Sequence, residues 1–99
     1  MSKDQKEKNG LPTYITEGAD GSYTVDLVRG LEIAGTKVTK LKLREPSLED
    51  QLASQQAGGS ADTEIALIAN LAEISPTDLH SAKMRDYARL QKALDFFYG

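Results

Sequence analysis

At Pro46 the hydrophobic period of the chain changes from two to about 3.6, and that switch decides its architecture. Upstream, Tyr23, Val25 and Leu27 alternate with Thr24, Asp26 and Val28, the period of a strand with one buried face. Leu31-Glu32-Ile33 leads into Ala34-Gly35, and the alternation resumes over Thr36-Lys37-Val38-Thr39-Lys40-Leu41-Lys42-Leu43. Gly35 supplies the backbone angles of a tight turn, so the two runs predict a hairpin. Val38 and Leu41 are three residues apart, which cannot place both on one face of a regular strand. Either a bulge or bend falls near Thr39-Lys40, or Val38 belongs to the turn end. A shorter candidate strand, Thr13-Tyr14-Ile15-Thr16, precedes the turn-forming Gly18-Ala19-Asp20-Gly21.

Pro46 has no amide to donate to a ladder and ends the strand; Ser47-Leu48-Glu49-Asp50 then starts a helix with a serine cap and an acidic first turn. That helix, about residues 48–56, is short and weakly apolar, and Ala57-Gly58-Gly59-Ser60 breaks it. A second helix begins from a cap at Ser60 or Asp62, with Ile65, Ile68, Leu71 and Ala72 on one face and Leu67 and Ile74 widening it. Ser75-Pro76-Thr77-Asp78 restarts a short helical turn through Leu79-His80. The last helix, about residues 81–97, repeats Met84, Tyr87, Leu90, Leu94 and Phe97 at intervals of three or four.

Strands first and helices after predict an α+β domain: an N-terminal antiparallel hairpin or small sheet followed by three to four α-helices. A chain of 99 residues suffices for one core, so residues 13–99 are expected to form a single domain behind a disordered polar lead-in over 1–12. The N-terminus has no apolar stretch of the secretory kind, and no run reaches the roughly 18 apolar residues of a membrane span. With no cysteine, disulfides, thiolate zinc sites and a cysteine nucleophile are excluded, which suits a reducing cytoplasm.

The formal charge of -3 hides an electrical striping. Residues 29–44 carry five basic side chains against Glu32 alone, whereas residues 45–80 carry seven acidic ones and no Lys or Arg. Stripes of this kind attract within a fold or across a protein interface; a nucleic-acid binder shows one dominant basic face. Lys37, Lys40 and Lys42 with Tyr14 and Tyr23 are the only candidates for nucleic-acid contact, and a solvated strand face that balances the acidic helices accounts for them as well.

No constellation for catalysis emerges. His80 is the sole histidine, beside an inter-helix turn. Glu45, Glu49 and Asp50 lack the ligand-rich loop of a calcium site and read as capping and solubility. Gly58-Gly59-Ser60 precedes a helix without a following Lys, and Asp62 and Glu64 would repel a phosphate. No enzyme, cofactor or metal is therefore expected. Three consecutive aromatics, Phe96-Phe97-Tyr98, cannot all face one core, so the candidate partner-binding set is Met84, Tyr87, Leu90, Leu94, Phe96, Phe97 and Tyr98, with the core as the default place for Tyr87, Leu90 and Leu94.

The stretch from Gly35 to Asp50 resembles the signature of the tail assembly chaperones of Mu-like and related contractile-tailed phages and prophages. In those proteins a hairpin strand ends in a Leu-Arg-Glu-Pro element with an aspartate four residues after the proline, here Leu43, Arg44, Glu45, Pro46 and Asp50. The order downstream also agrees: an Ile/Leu/Ala-rich helix over Ile65 to Leu71, the Ser75-Pro76 break, Asp86 and a final Leu/Phe helix, so that the likeness covers Tyr23 to Tyr98. The polar N-terminus is longer than the family pattern. The resemblance implies a cytoplasmic protein of the bacterial host, encoded near the tape measure gene, often made in a normal and a frameshift-extended form. It implies binding to the tape measure protein during tail building, and absence from the finished virion. Homo-oligomerisation is compatible with it. The alternatives are a small tail or connector protein retained in the virion, and a small nucleic-acid-binding regulator, against which the acidic middle segment argues.

Overall fold

A computed structural model describes residues 10–99. Three strands, β1 (Ile15–Glu17), β2 (Tyr23–Ile33) and β3 (Thr36–Leu43), form an antiparallel sheet in the order β1-β2-β3. Helices α1 (Leu48–Ser54), α2 (Ser60–Ala72), α3 (Pro76–Leu79) and α4 (Met84–Phe97) follow, with a 3-10 turn over Gln55–Ala57 after α1. The α+β class is thus as the change of period demands.

The β2–β3 hairpin closes on Ala34 and Gly35 at φ 52° and 80°. Positive φ at both central residues gives the turn whose twist matches that of the paired strands, and Gly35 takes up its angle without steric cost. Pairing runs from Ile33↔Thr36 to Leu31↔Val38 and is interrupted, resuming at Asp26↔Lys40 and continuing to Tyr23↔Leu43. The four residues Leu27–Gly30 therefore stand opposite Thr39 alone. An irregularity was expected near Thr39-Lys40 from the Val38–Leu41 spacing. It lies instead in β2, where the surplus residues bow out while β3 continues unbroken. Val38 and Leu41 are accommodated because their partners, Leu31 and Val25, are themselves shifted by the bulge.

Serine caps start α1 and α3. Ser47 accepts from the Asp50 amide while the Asp50 carboxylate accepts from the Ser47 amide, and Ser75 and Asp78 repeat the arrangement with Pro76 at the first helical position. Neither Ser60 nor Asp62 caps α2; the cap position is Gly59 and makes no side-chain bond. The last helix starts at Met84, three residues later than expected, since Ser81 is occupied in bonding the Asp78 carbonyl and the Glu32 amide.

The helices cover one face of the sheet. Ile15, Val25, Leu31, Leu41 and Leu43 from the strands meet Leu67, Ile68, Leu71, Leu79, Leu90 and Leu94 from the helices in one core. Each such side chain contributes about 1.5–3 kcal/mol of transfer free energy when fully buried. Leu11 belongs to this core as well. The expected lead-in over 1–12 falls outside the described residues up to residue 9, but its end does not: burial of Leu11 makes the packed domain begin before residue 13.

A candidate protein-binding face

Two carboxylates join the sheet to the helices. The first is Asp50. The Arg44 guanidinium grips it with two bonds, Nη1 to Oδ2 at 2.7 Å and Nη2 to Oδ1 at 2.9 Å. The Asn70 side-chain amide donates to Oδ1 at 3.1 Å, and the Ser47 amide to Oδ2 at 2.9 Å. Asp50 thereby links the end of β3, the start of α1 and the last turn of α2, and the Arg44 amide adds a bond to the Leu71 carbonyl at 3.1 Å. The Arg44 fork holds the Asp50 carboxyl far below the usual carboxylate range, and the same bonds raise the guanidinium. With Leu43 fully buried beneath it, the Leu-Arg-Glu-Pro element with its aspartate is a structural joint. Glu45 is its one member left exposed.

The second is Asp86, fully buried in the first turn of α4. It fills the bulge of β2, accepting from the amides of Val28 at 2.6 Å, Arg29 at 2.9 Å and Gly30 at 2.9 Å. Burial works to raise its pKa, but the three amide donors outweigh burial and hold the carboxyl below its ordinary value. Gly30 sits at φ 87°, and a Cβ there would lie 2.8 Å from the Val38 carbonyl oxygen. Glycine is thus required where the bulge folds back onto β3.

The candidate residues on α4 divide by burial. Leu90 and Leu94 are inside the core and cannot meet a partner in this fold. Their helical spacing alone put them on the candidate stripe; the sheet takes that face. Tyr87 is half-buried, its hydroxyl donating to Glu64 at 2.7 Å, and burial followed by that carboxylate raises its pKa. Phe97 stacks on Tyr23 with ring centroids 4.4 Å apart, and Phe96 is half-buried against the core. Only Met84, 74% exposed, and Tyr98, 61% exposed, stand out in solvent. They lie at the two ends of α4. Met84 borders an apolar pocket of about 240 Å³ with Ile65, Leu79, His80, Ala82 and Tyr87.

The surface that sequence reasoning missed is on α1. This helix turns its polar side chains Asp50 and Ser54 inward and its leucines outward, Leu48 at 74% and Leu52 at 54% exposure. The inversion follows from the joint: because Arg44 and Asn70 hold Asp50, and Ser54 bonds the Gln51 carbonyl at 2.8 Å, the opposite face must carry Leu48 and Leu52, four residues apart. Tyr98 lies alongside, its hydroxyl donating to the Gln51 side chain at 2.8 Å. Between them Pro46, Ser47, Leu48, Gln51 and Tyr98 line a depression of about 440 Å³. The signal was present in the sequence as two leucines at a spacing of four, but nothing local told which side of so short a helix would be buried.

Four of the five residues considered for nucleic acid have partners within the fold. Lys40 pairs with Asp26 at 2.7 Å and Lys42 with Asp20 at 3.4 Å. The Arg89 guanidinium lies over the Tyr14 ring at 4.3 Å, and Tyr23 is the ring against Phe97. Among the described residues no group of three His, Asp or Glu side chains is placed to hold a metal ion, and no helix is long and apolar enough to cross a membrane.

No curated protein and no solved structure matches this chain. A family model does, over residues 24–99, the span that contains both carboxylate joints and the α1 face. The family is described as phage tail assembly chaperone proteins, E, or 41 or 14. With three quarters of its length matched, the chain belongs to the phage tail assembly chaperone family.

Proposed function

We propose that this protein is a non-enzymatic tail assembly chaperone that binds the tape measure protein while the tail is built, in the host cytoplasm. The observation that supports this reading is the inverted helix α1. A chaperone needs apolar surface that its own core does not consume, and α1 presents Leu48 and Leu52 to solvent while the fold around it is held by Arg44 and Asp50. Two leucines side by side on one helix face offer a partner apolar surface to bury. Its small size suits a contact that must later be released as other tail proteins take the chaperone's place. Met84 and Tyr98 remain candidate contacts; Leu90 and Leu94 belong to the core.

Co-expression with the tape measure protein encoded beside it tests the reading. The wild type is expected to co-purify with that protein, and a folded Leu48→Ser/Leu52→Ser variant to lose it. Absence of capture by well-folded wild type would contradict the proposal.

A further inference from the structure

We infer a second docking site, separate from the α1 face, at the start of α4: a basic depression that takes an acidic segment of a protein partner. Among the described residues Arg29, Lys83 and Arg85 alone line it, and its volume is about 320 Å³. All three are exposed, and none makes an ion pair with a described residue. The fold brings them together through Asp86. Its carboxylate holds the bulge of β2 against the first turn of α4 by the amides of Val28, Arg29 and Gly30, so Arg29 on the bulge and Lys83 and Arg85 on the helix surround one hollow. Arg29 serves that joint with its backbone amide, which leaves its guanidinium in solvent. Asp86 is fully buried and bonded to the three amides, so the carboxylate of the joint is not open to the three cations. Like charges sharing a hollow repel one another in the free protein, and an anionic ligand replaces that repulsion with attraction.

The class of ligand follows from the extent of the charge. A nucleic-acid backbone is held along a basic stripe, by on the order of six to ten phosphate contacts, with bases stacked on aromatic rings. Here the hollow holds three cations and no aromatic side chain, and Arg89, the next cation along α4, is turned to the Asp26 carbonyl and the Tyr14 ring. Two guanidinium forks and one ammonium suit a few carboxylates close together, as on an Asp/Glu-rich segment, because each fork can hold a carboxylate by two parallel bonds. The chain's own residues 1–9 are a poor match in charge, with Lys3, Lys6 and Lys8 against Asp4 and Glu7. Tyr98, which borders the α1 depression, stands at the other end of the 14-residue α4, about 20 Å along its axis, so the two sites are separate.

Titration of the full chain with a short Glu-rich peptide, followed by NMR, tests this against three other probes: the same peptide with Gln for Glu, inorganic phosphate, and a single-stranded oligonucleotide of equal charge. The Glu peptide is expected to shift the guanidinium signals of Arg29 and Arg85 and the amide signals of residues 83–85, and to bind more weakly as salt is raised. Arg29→Gln/Arg85→Gln is expected to lower its affinity roughly tenfold. Both side chains are exposed and outside the Asp86 joint, so this variant is expected to keep the wild-type unfolding midpoint; if it does not, Lys83→Gln, expected to lose part of the affinity, takes its place. Lys92→Gln removes an exposed cation of α4 that does not line the hollow, and is expected to change the affinity by less than about twofold. Equal binding of the Gln peptide, shifts centred elsewhere, or unchanged affinity in the folded variant would overturn the inference. So would tighter binding of the oligonucleotide, which makes the site one for nucleic acid, or binding of phosphate as strong as that of the peptide, which makes it an unselective anion site. None of the probes comes from the tape measure protein, so failure to capture that protein bears on the proposed function alone.

Discussion

Asp86 sets the course of β2 through three backbone amides. Asp86→Asn keeps the shape but turns an amide NH2 toward donors that need an acceptor, and removes the charge that strengthens the remaining bonds. A loss of about 2–4 kcal/mol in urea unfolding is expected. Asp50 and Asp86 both have folded pKa values below the ordinary 3.8. A depressed folded pKa means stabilisation that is complete above the unfolded value and lost as pH falls through the folded one. The unfolding midpoint is therefore expected to drop as pH is lowered from about 5 towards 2, and to drop less in the Asp50→Asn and Asp86→Asn variants than in wild type. Gly30→Ala meets both a positive φ and the Val38 carbonyl oxygen, and should destabilise by about 1–3 kcal/mol, measured in the same way.

Among the elements, α1 and α4 make opposite predictions. Leu90→Ala empties a fully buried site and should cost about 2–5 kcal/mol, whereas Leu48→Ser with Leu52→Ser should change stability by less than about 1 kcal/mol, both read from thermal unfolding. The same contrast shows what the sequence allowed to be read. The strand period, the Ala34-Gly35 turn, the serine caps at Ser47 and Ser75 and the α4 repeat depend on residues close together in the chain, and they were legible. Three features were not. The surplus residues of β2 depend on Asp86, 56 positions beyond Gly30. The orientation of α1 depends on Arg44 and Asn70 meeting over Asp50. Burial of Leu11 depends on a core that local pattern cannot locate. Each is settled by a long-range contact, and the α1 face went unseen because a seven-residue helix carries too few turns to declare its buried side.

Over the whole molecule, charge and apolar surface are unevenly placed. Lys40 and Lys42 of β3 find Asp26 and Asp20 within the fold, while Glu45 and Glu49 make no ion pair with another described residue. The core is covered by α2 and α4, which leaves α1 at the margin, attached through the Arg44–Asp50 joint and free to present its leucines. This outward face is the one we propose as the docking site of the client. Hydrogen exchange on the purified complex with the tape measure protein, compared with the chaperone alone, tests it most directly. Slower exchange over α1 and at residues 95–99, with β2 and β3 unchanged, is the predicted result. Protection confined to the Met84 pocket or to the open edge of β3, with α1 exchanging as it does in the free protein, would contradict the account.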